Sequence, residues 1–148
     1  MPKTRYSFAC TIKDERISFA LNVGSMSNPS SIPIYDQHRL NSQLDLVTKY
    51  FLQETVIVAA DKSGKGRGVK VTLPTVQSWY ANDFGKGRQI DLVSFAHSYL
   101  SGEKHTLLTL ALEESNRNSI NVRFAPFLWT CRSLTSLDEG LLETLLAK

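Results

Sequence analysis

Cysteine and histidine are the residues of this chain that could supply a nucleophile and its base. The sequence has Cys10, Cys131, His38, His97 and His105. Cysteine catalysis needs a thiolate beside an imidazole, and no histidine lies near a cysteine in the sequence. We expect surface or capping roles for His97 and His105. Both thiols are expected to be small, partly buried apolar side chains in a reducing compartment, and a disulfide between them stays open.

Serine and acidic residues offer two further kinds of chemistry. Serines cluster at positions 25–31, but the segment Val-Gly-Ser-Met-Ser lacks the second glycine of a G-x-S-x-G nucleophile elbow. These serines are expected to form a loop and to cap the next helix. The acid pairs Asp83 with Asp91 and Glu113 with Glu114 match neither HExxH nor a calcium-loop spacing. The sequence therefore predicts no metal site and no cofactor.

Two Gly-Lys-Gly-Arg turns concentrate positive charge. Residues 62–88 contain six basic residues and one acid, a net +5, whereas the whole chain carries +3. Glycine-rich turns expose backbone N–H groups beside the cations, which suits contact with phosphate or an anionic surface. Neither turn is a Walker A loop or a dinucleotide fingerprint. The candidate anion-binding residues are Lys65, Arg67, Lys86 and Arg88, and the competing interpretation is a solvated hairpin tip.

Four aromatic residues could stack on nucleic-acid bases or fill a core. They are Trp79, Tyr80, Phe84 and Trp129. Trp79 and Tyr80 are neighbours on a predicted helix, so at most one can point fully inward. We therefore predict core packing for this set.

Composition indicates what kind of fold must position these residues. Hydrophobic residues make up 42% and charged residues 21% of the 148, with a pI near 8.9. These values are typical of one globular domain. No run approaches 18 apolar residues and the N-terminus lacks a signal-peptide h-region, so we expect no membrane span and a cytoplasmic location.

Apolar periodicity predicts an α/β fold, a mixed sheet with packed helices. The predicted strands are Ile17–Asn22, Thr55–Ala60, Val69–Leu73 and Ile120–Phe124. The predicted helices are Asp36–Leu52 with Asp36 as N-cap, Pro74–Gly85 with Pro74 as first residue, Ile90–Leu100, His105–Glu114 and a last leucine-rich helix after Ser136. The second and third strands should form a hairpin with a basic tip.

Several of these segments together carry a family resemblance. They are FALNVGSMSNP at 19–29, Tyr35, LDLVTKYFL at 44–52, VTLP at 71–74, WYANDFG at 79–85 and VRFAPFLW at 122–129. In order and spacing they resemble the domain of unknown function 547 family over roughly residues 14–132. The resemblance implies a signature loop that includes Asn22, Val23, Gly24, Ser25 and Asn28.

The sequence departs from that family in two respects. Family members usually carry cysteine at the position of Val23 and, in many, of Asn28. Valine has no nucleophile and no metal affinity, so thiol chemistry at this loop is not expected here. Members also usually have an upstream half of the domain, which this sequence does not contain. The resemblance therefore implies a partial domain that corresponds to the C-terminal part.

The expected organisation is an N-terminal extension at 1–13, a domain-of-unknown-function-547-like region at 14–132 and a C-terminal amphipathic helix at 133–148. The expected function is a non-catalytic binding or scaffold module, because the family is often joined to signalling or interaction segments. The alternatives are a remnant of a cysteine-hydrolase-like enzyme and a phosphate- or anion-binding module. An uncovered apolar face on the sheet or on the helix Asp36–Leu52 would favour a protein partner or self-association.

Overall fold

A three-stranded mixed sheet forms the centre of the computed structural model, which describes residues 13–29, 32–61, 68–113 and 120–131. The strands are β1 (Ile57–Asp61), β2 (Gly68–Pro74) and β3 (Ile120–Ala125), in the order β1-β2-β3. β1 and β2 are antiparallel. β2 and β3 are parallel, with Pro74 opposite Ala125. The predicted α/β fold, hairpin pairing and mixed sheet are confirmed.

Within the described ranges, five helices accompany the sheet. They are α1 (Ile17–Ala20), α2 (Leu40–Thr55), α3 (Thr75–Trp79), α4 (Gln89–Tyr99) and α5 (Gly102–Glu113), with a 3-10 turn at Ala81–Asp83. The chain from β2 to β3 passes through α3, α4 and α5, as a parallel pair of strands requires a long crossover. None of the helices in the described ranges is long and apolar enough to cross a membrane.

The prediction of a strand at Ile17–Asn22 is wrong, because this segment begins with the single helical turn α1. The backbone carbonyl of Asp14 accepts from the N–H of Ile17 and so starts the turn. The turn directs Phe19 into a cluster with the rings of Phe51, Phe84 and Phe95, at centroid distances of 5.4 to 5.9 Å. A short apolar run does not distinguish a strand from a buried helical turn by periodicity, and here aromatic packing decides.

Two predicted helix starts are also corrected. The carboxylate of Asp36 accepts from the N–H of His38 and forms a turn, and α2 begins later, at Leu40. Pro74 is the last residue of β2 and the N-cap of α3, with extended backbone, so it is not the first helical residue. The helix predicted to reach Gly85 ends at Trp79.

The core lies between one face of the sheet and the helices. Along β2, Val71 and Leu73 are buried, whereas Lys70 and Thr72 alternate with them on the other face. Leu108 of α5 is also fully buried. The period of two is therefore confirmed, and it places apolar side chains on the face that the helices cover.

Several predictions fall outside the described residues. These are most of the extension at 1–13, Cys10, the tip residues Lys65 and Arg67, and the C-terminal helix at 133–148. Cys131 is described, and it is a free, exposed thiol rather than a partly buried one.

Candidate binding groove

The signature loop is held by its own side chains. Asn22 accepts from the N–H of Gly24 at 2.8 Å through Oδ1 and donates to the carbonyl of Pro29 at 2.9 Å. Asn28 Oδ1 accepts from the N–H of Val23 at 3.2 Å and from the buried hydroxyl of Ser25 at 3.0 Å. Of the five predicted loop residues, the three polar ones therefore fix the loop itself.

Gly24 and Val23 have different roles in this loop. Gly24 adopts φ +70°, a left-handed conformation that glycine tolerates best. Val23 makes its hydrogen bond through the backbone only, and its side chain is 66% exposed. The position at which the resembled family carries a thiol is thus an exposed apolar side chain in this protein.

Hydrogen bonds and a β-bridge join the signature loop to the segment that follows β3. The N–H of Met26 donates to the carbonyl of Thr130 at 2.9 Å, and Ser25 and Cys131 form an antiparallel bridge. The N–H of Leu128 donates to the hydroxyl of Ser27 at 2.7 Å. Two segments distant in sequence are therefore tied together at the carboxyl end of β3.

An apolar groove of about 360 Å³ opens between this loop, α2, α3 and the segment after β3. Its lining comprises Ser18, Leu21, Val23, Met26, Ser27, Asn28, Phe51, Thr55, Pro74, Val76, Trp79, Tyr80, Ala125, Phe127 and Leu128. Pro74 and Ala125 are the last residues of two parallel strands. Crevices at the carboxyl ends of parallel strands are the usual binding sites of α/β sheets.

Aromatic side chains form one wall of the apolar groove. The rings of Trp79 and Phe127 lie 4.9 Å apart, and Trp129 packs on both of them. Trp79 is 47% exposed and Trp129 is 69% exposed. The predicted core packing is therefore wrong for Trp79, Tyr80 and Trp129, which are exposed, and correct for Phe84, which is buried.

The groove is also poor in groups that could act as acids or bases. Among the described residues that line it, the side chains are apolar, aromatic, hydroxyl or amide, and none is charged. A surface of this kind binds apolar groups through desolvation, with a few polar atoms to orient them.

The histidines lie elsewhere in the fold. His97 of α4 and His105 of α5 stack with their ring centroids 4.2 Å apart. His97 Nε2 lies 2.8 Å from the hydroxyl of Thr109. Burial, together with the neighbouring ring of His105, lowers the pKa of His97 below its usual range. This pair joins two helices, which differs from the surface or capping roles that the sequence predicted.

An ion-pair network fixes α1 beside α2 and α4. Arg16 binds Asp14 at 2.6 Å and Asp45 of α2 at 2.9 Å. The hydroxyl of Tyr99 on α4 donates to the same carboxylate of Asp45 at 3.1 Å. The side-chain hydrogen bond to Asp14 is the main cause of a raised Arg16 pKa. The network positions the start of the signature loop, because α1 leads directly into it.

Of the four predicted anion-binding residues, Lys86 and Arg88 are described. Arg88 forms an ion pair with Asp91 at 2.8 Å, and its side-chain hydrogen bond is the main reason why the pKa of Asp91 falls to about 2. Asp91 also accepts from the backbone N–H groups of Lys86 and Arg88. The described turn is thus organised around a carboxylate. Anion binding by the set of four stays a prediction.

Sequence reasoning missed the groove itself. Phe127 and Leu128 follow β3, and the resemblance covered them without assigning a role. The signal that could have found them is the unbroken apolar and aromatic composition of Ala-Pro-Phe-Leu-Trp directly after a predicted strand end.

Comparisons of the chain with protein-family models, with curated proteins and with solved structures gave no match.

Proposed function

We propose that this chain is a non-catalytic binding module, a cytoplasmic member of the domain of unknown function 547 family, and that its apolar groove binds an apolar segment of a partner protein. The observation that supports the proposal is the groove wall. Trp79, Phe127 and Trp129 pack on one another yet leave both indoles substantially exposed. Exposed, preassembled aromatic side chains are characteristic of interaction surfaces.

The chemistry of the rim supports binding over catalysis. Val23 projects from the rim of the groove at the position of the family cysteine. The buried Ser25 hydroxyl donates to Asn28, so this serine serves to hold the loop. The rings of His97 and His105 contact each other and Thr109, away from the groove lining. A groove with these residues can desolvate and hold a side chain, which is the task of a scaffold module.

A charge placed in the groove tests the proposal. We expect Val23→Glu to fold normally, because the side chain is exposed, and to lose binding of a fluorescent amphipathic helical peptide rich in leucine. Burying an unpaired carboxylate against apolar side chains is costly. Leu110→Glu is the matched control, because Leu110 is 56% exposed on α5 and does not line the groove. Equal peptide affinity for the two variants would contradict the proposal.

A further inference from the structure

The described chain ends at the rim of the apolar groove. The backbone of Cys131 forms an antiparallel β-bridge with Ser25 of the signature loop. Leu128, three residues earlier, lines the groove. Residues 132–148 therefore start within a few residues of the aromatic wall. The five residues 132–136 can span at most about 17 Å when extended, so any segment that follows them begins within reach of the groove.

The sequence of this following segment suits an apolar groove. The capping-box pattern Ser136-x-x-Glu139 predicts a helix start, and leucines follow at 137, 141, 142, 145 and 146. On a helix, Leu137, Leu141 and Leu145 would share one face, since side chains four residues apart are neighbours. The stretch from 137 to 146 would be about 15 Å long.

We propose that residues 133–148 of this chain pack their leucine face into the apolar groove and compete there with the partner segment. The proposal rests on the proposed function, in that both require the groove to accept an apolar helix. An apolar helix face docked in a hydrophobic groove is a recurrent mode of recognition. A tethered segment also has a high effective concentration, in the millimolar range for a short linker. Even a weak contact would then cover the groove most of the time.

The two tryptophans of the chain make this occupancy measurable in the full-length protein. Trp79 lines the groove, and the ring of Trp129 stacks on the ring of Trp79. The sequence contains no other tryptophan. We expect blue-shifted tryptophan emission and weak acrylamide quenching for the unmodified chain. The double variant Leu141→Asp, Leu145→Asp should shift the emission to the red and raise the quenching. Ala147→Asp, which adds an acid on the opposite face of the predicted helix, is the matched control and should behave as the unmodified chain does.

Peptide affinity provides the second measurement. If the segment occupies the groove for nine-tenths of the time, the double variant should bind a leucine-rich helical peptide about tenfold more tightly than the unmodified chain. Identical quenching and identical affinity for the two proteins would overturn the proposal and leave the proposed function intact. Quenching that weakens as protein concentration rises would also overturn it, because a second copy would then be the cover. A change in quenching with no peptide binding by either protein would support the proposal and contradict the proposed function.

Discussion

The indoles of Trp79 and Trp129 stack with centroids 5.5 Å apart and planes inclined by 21°. One belongs to the helix that follows β2 and the other to the segment that follows β3, so the stack joins the carboxyl ends of two parallel strands. Thr75, at the start of the same helix, donates its hydroxyl to the carbonyl of Ala125 at the end of β3. The aromatic wall is therefore anchored in the sheet, so the groove has a preformed surface on this side.

The aromatic cluster around Phe19 should dominate stability. Phe19 is 3% exposed and contacts three rings. We expect Phe19→Ala to lower the free energy of unfolding by about 3–5 kcal/mol, the cost of a large cavity in a core. Leu21→Ala is the control two residues along the chain, and its exposed side chain should change stability by about 0.5 kcal/mol or less. Urea denaturation measures both changes, and equal losses would refute the assignment of Phe19 to the core.

A cysteine introduced at Val23, where members of the resembled family usually carry one, should behave as an ordinary thiol. No charged or imidazole side chain appears among the described residues that line the groove. We therefore expect the thiol of Val23→Cys to be alkylated readily, with a pH dependence centred at about 8.5. Peptide mapping by mass spectrometry separates its rate from those of Cys10 and Cys131. A thiol that reacts as fast at pH 6 as at pH 8 would show an activating neighbour and revive the cysteine-hydrolase interpretation.

Acid should weaken the contact between α4 and α5. The folded protein lowers the pKa of His97, mainly through burial, so below about pH 6.5 the unfolded chain binds more protons than the folded one. The free energy of unfolding should then decrease as the pH falls from about 6.5, and the loss should end below the folded pKa.

Thermal unfolding from pH 7.5 down to pH 5 measures this effect. We expect His97→Gln to flatten the dependence on pH. His38→Gln is the control, because His38 lies on the exposed turn before α2. Parallel pH profiles for the unmodified chain and His97→Gln would show that protonation of His97 does not change the stability of the fold.

The basic turns should contribute little to ligand binding. Arg88 is engaged by Asp91, so it is not a free cation for a phosphate. We expect the fourfold alanine variant at Lys65, Arg67, Lys86 and Arg88 to bind polyphosphate as weakly as the unmodified chain does at physiological salt. If the unmodified chain instead binds tightly, with a steep dependence on salt, and the variant does not, the anion-binding alternative would replace the groove.

The sequence could predict the elements whose residues alternate or repeat regularly. β2 and β3, α4 and most of α2 follow from local apolar periods. The helical turn α1 could not be predicted in this way, because the side chain that decides it, Phe19, packs on rings from α2 and α4 that are distant in sequence. Long-range packing overrides the strand preference of the six-residue run Ile17–Asn22.

The sequence could predict the signature loop, whereas it could not predict the groove. The loop residues are grouped through the family resemblance, and their hydrogen bonds are local, because Asn22 binds Gly24 and Ser25 binds Asn28. The groove depends on the approach of Trp79 to Phe127 and Trp129. Aromatic composition alone favours a core, and only the three-dimensional arrangement shows that these side chains remain exposed.

Peptide affinity of the Trp79→Ala variant tests the account most directly. Fluorescence anisotropy of a labelled, leucine-rich helical peptide would be measured with the Leu141→Asp, Leu145→Asp protein, in which residues 133–148 no longer compete for the groove, and with Trp79→Ala and the control Leu110→Ala each made in that protein. Removing a central aromatic side chain from an interface typically costs about 2 kcal/mol or more. We therefore predict at least about thirtyfold weaker binding for Trp79→Ala and unchanged binding for Leu110→Ala. Equal affinities for all three proteins would show that the groove is not the binding site.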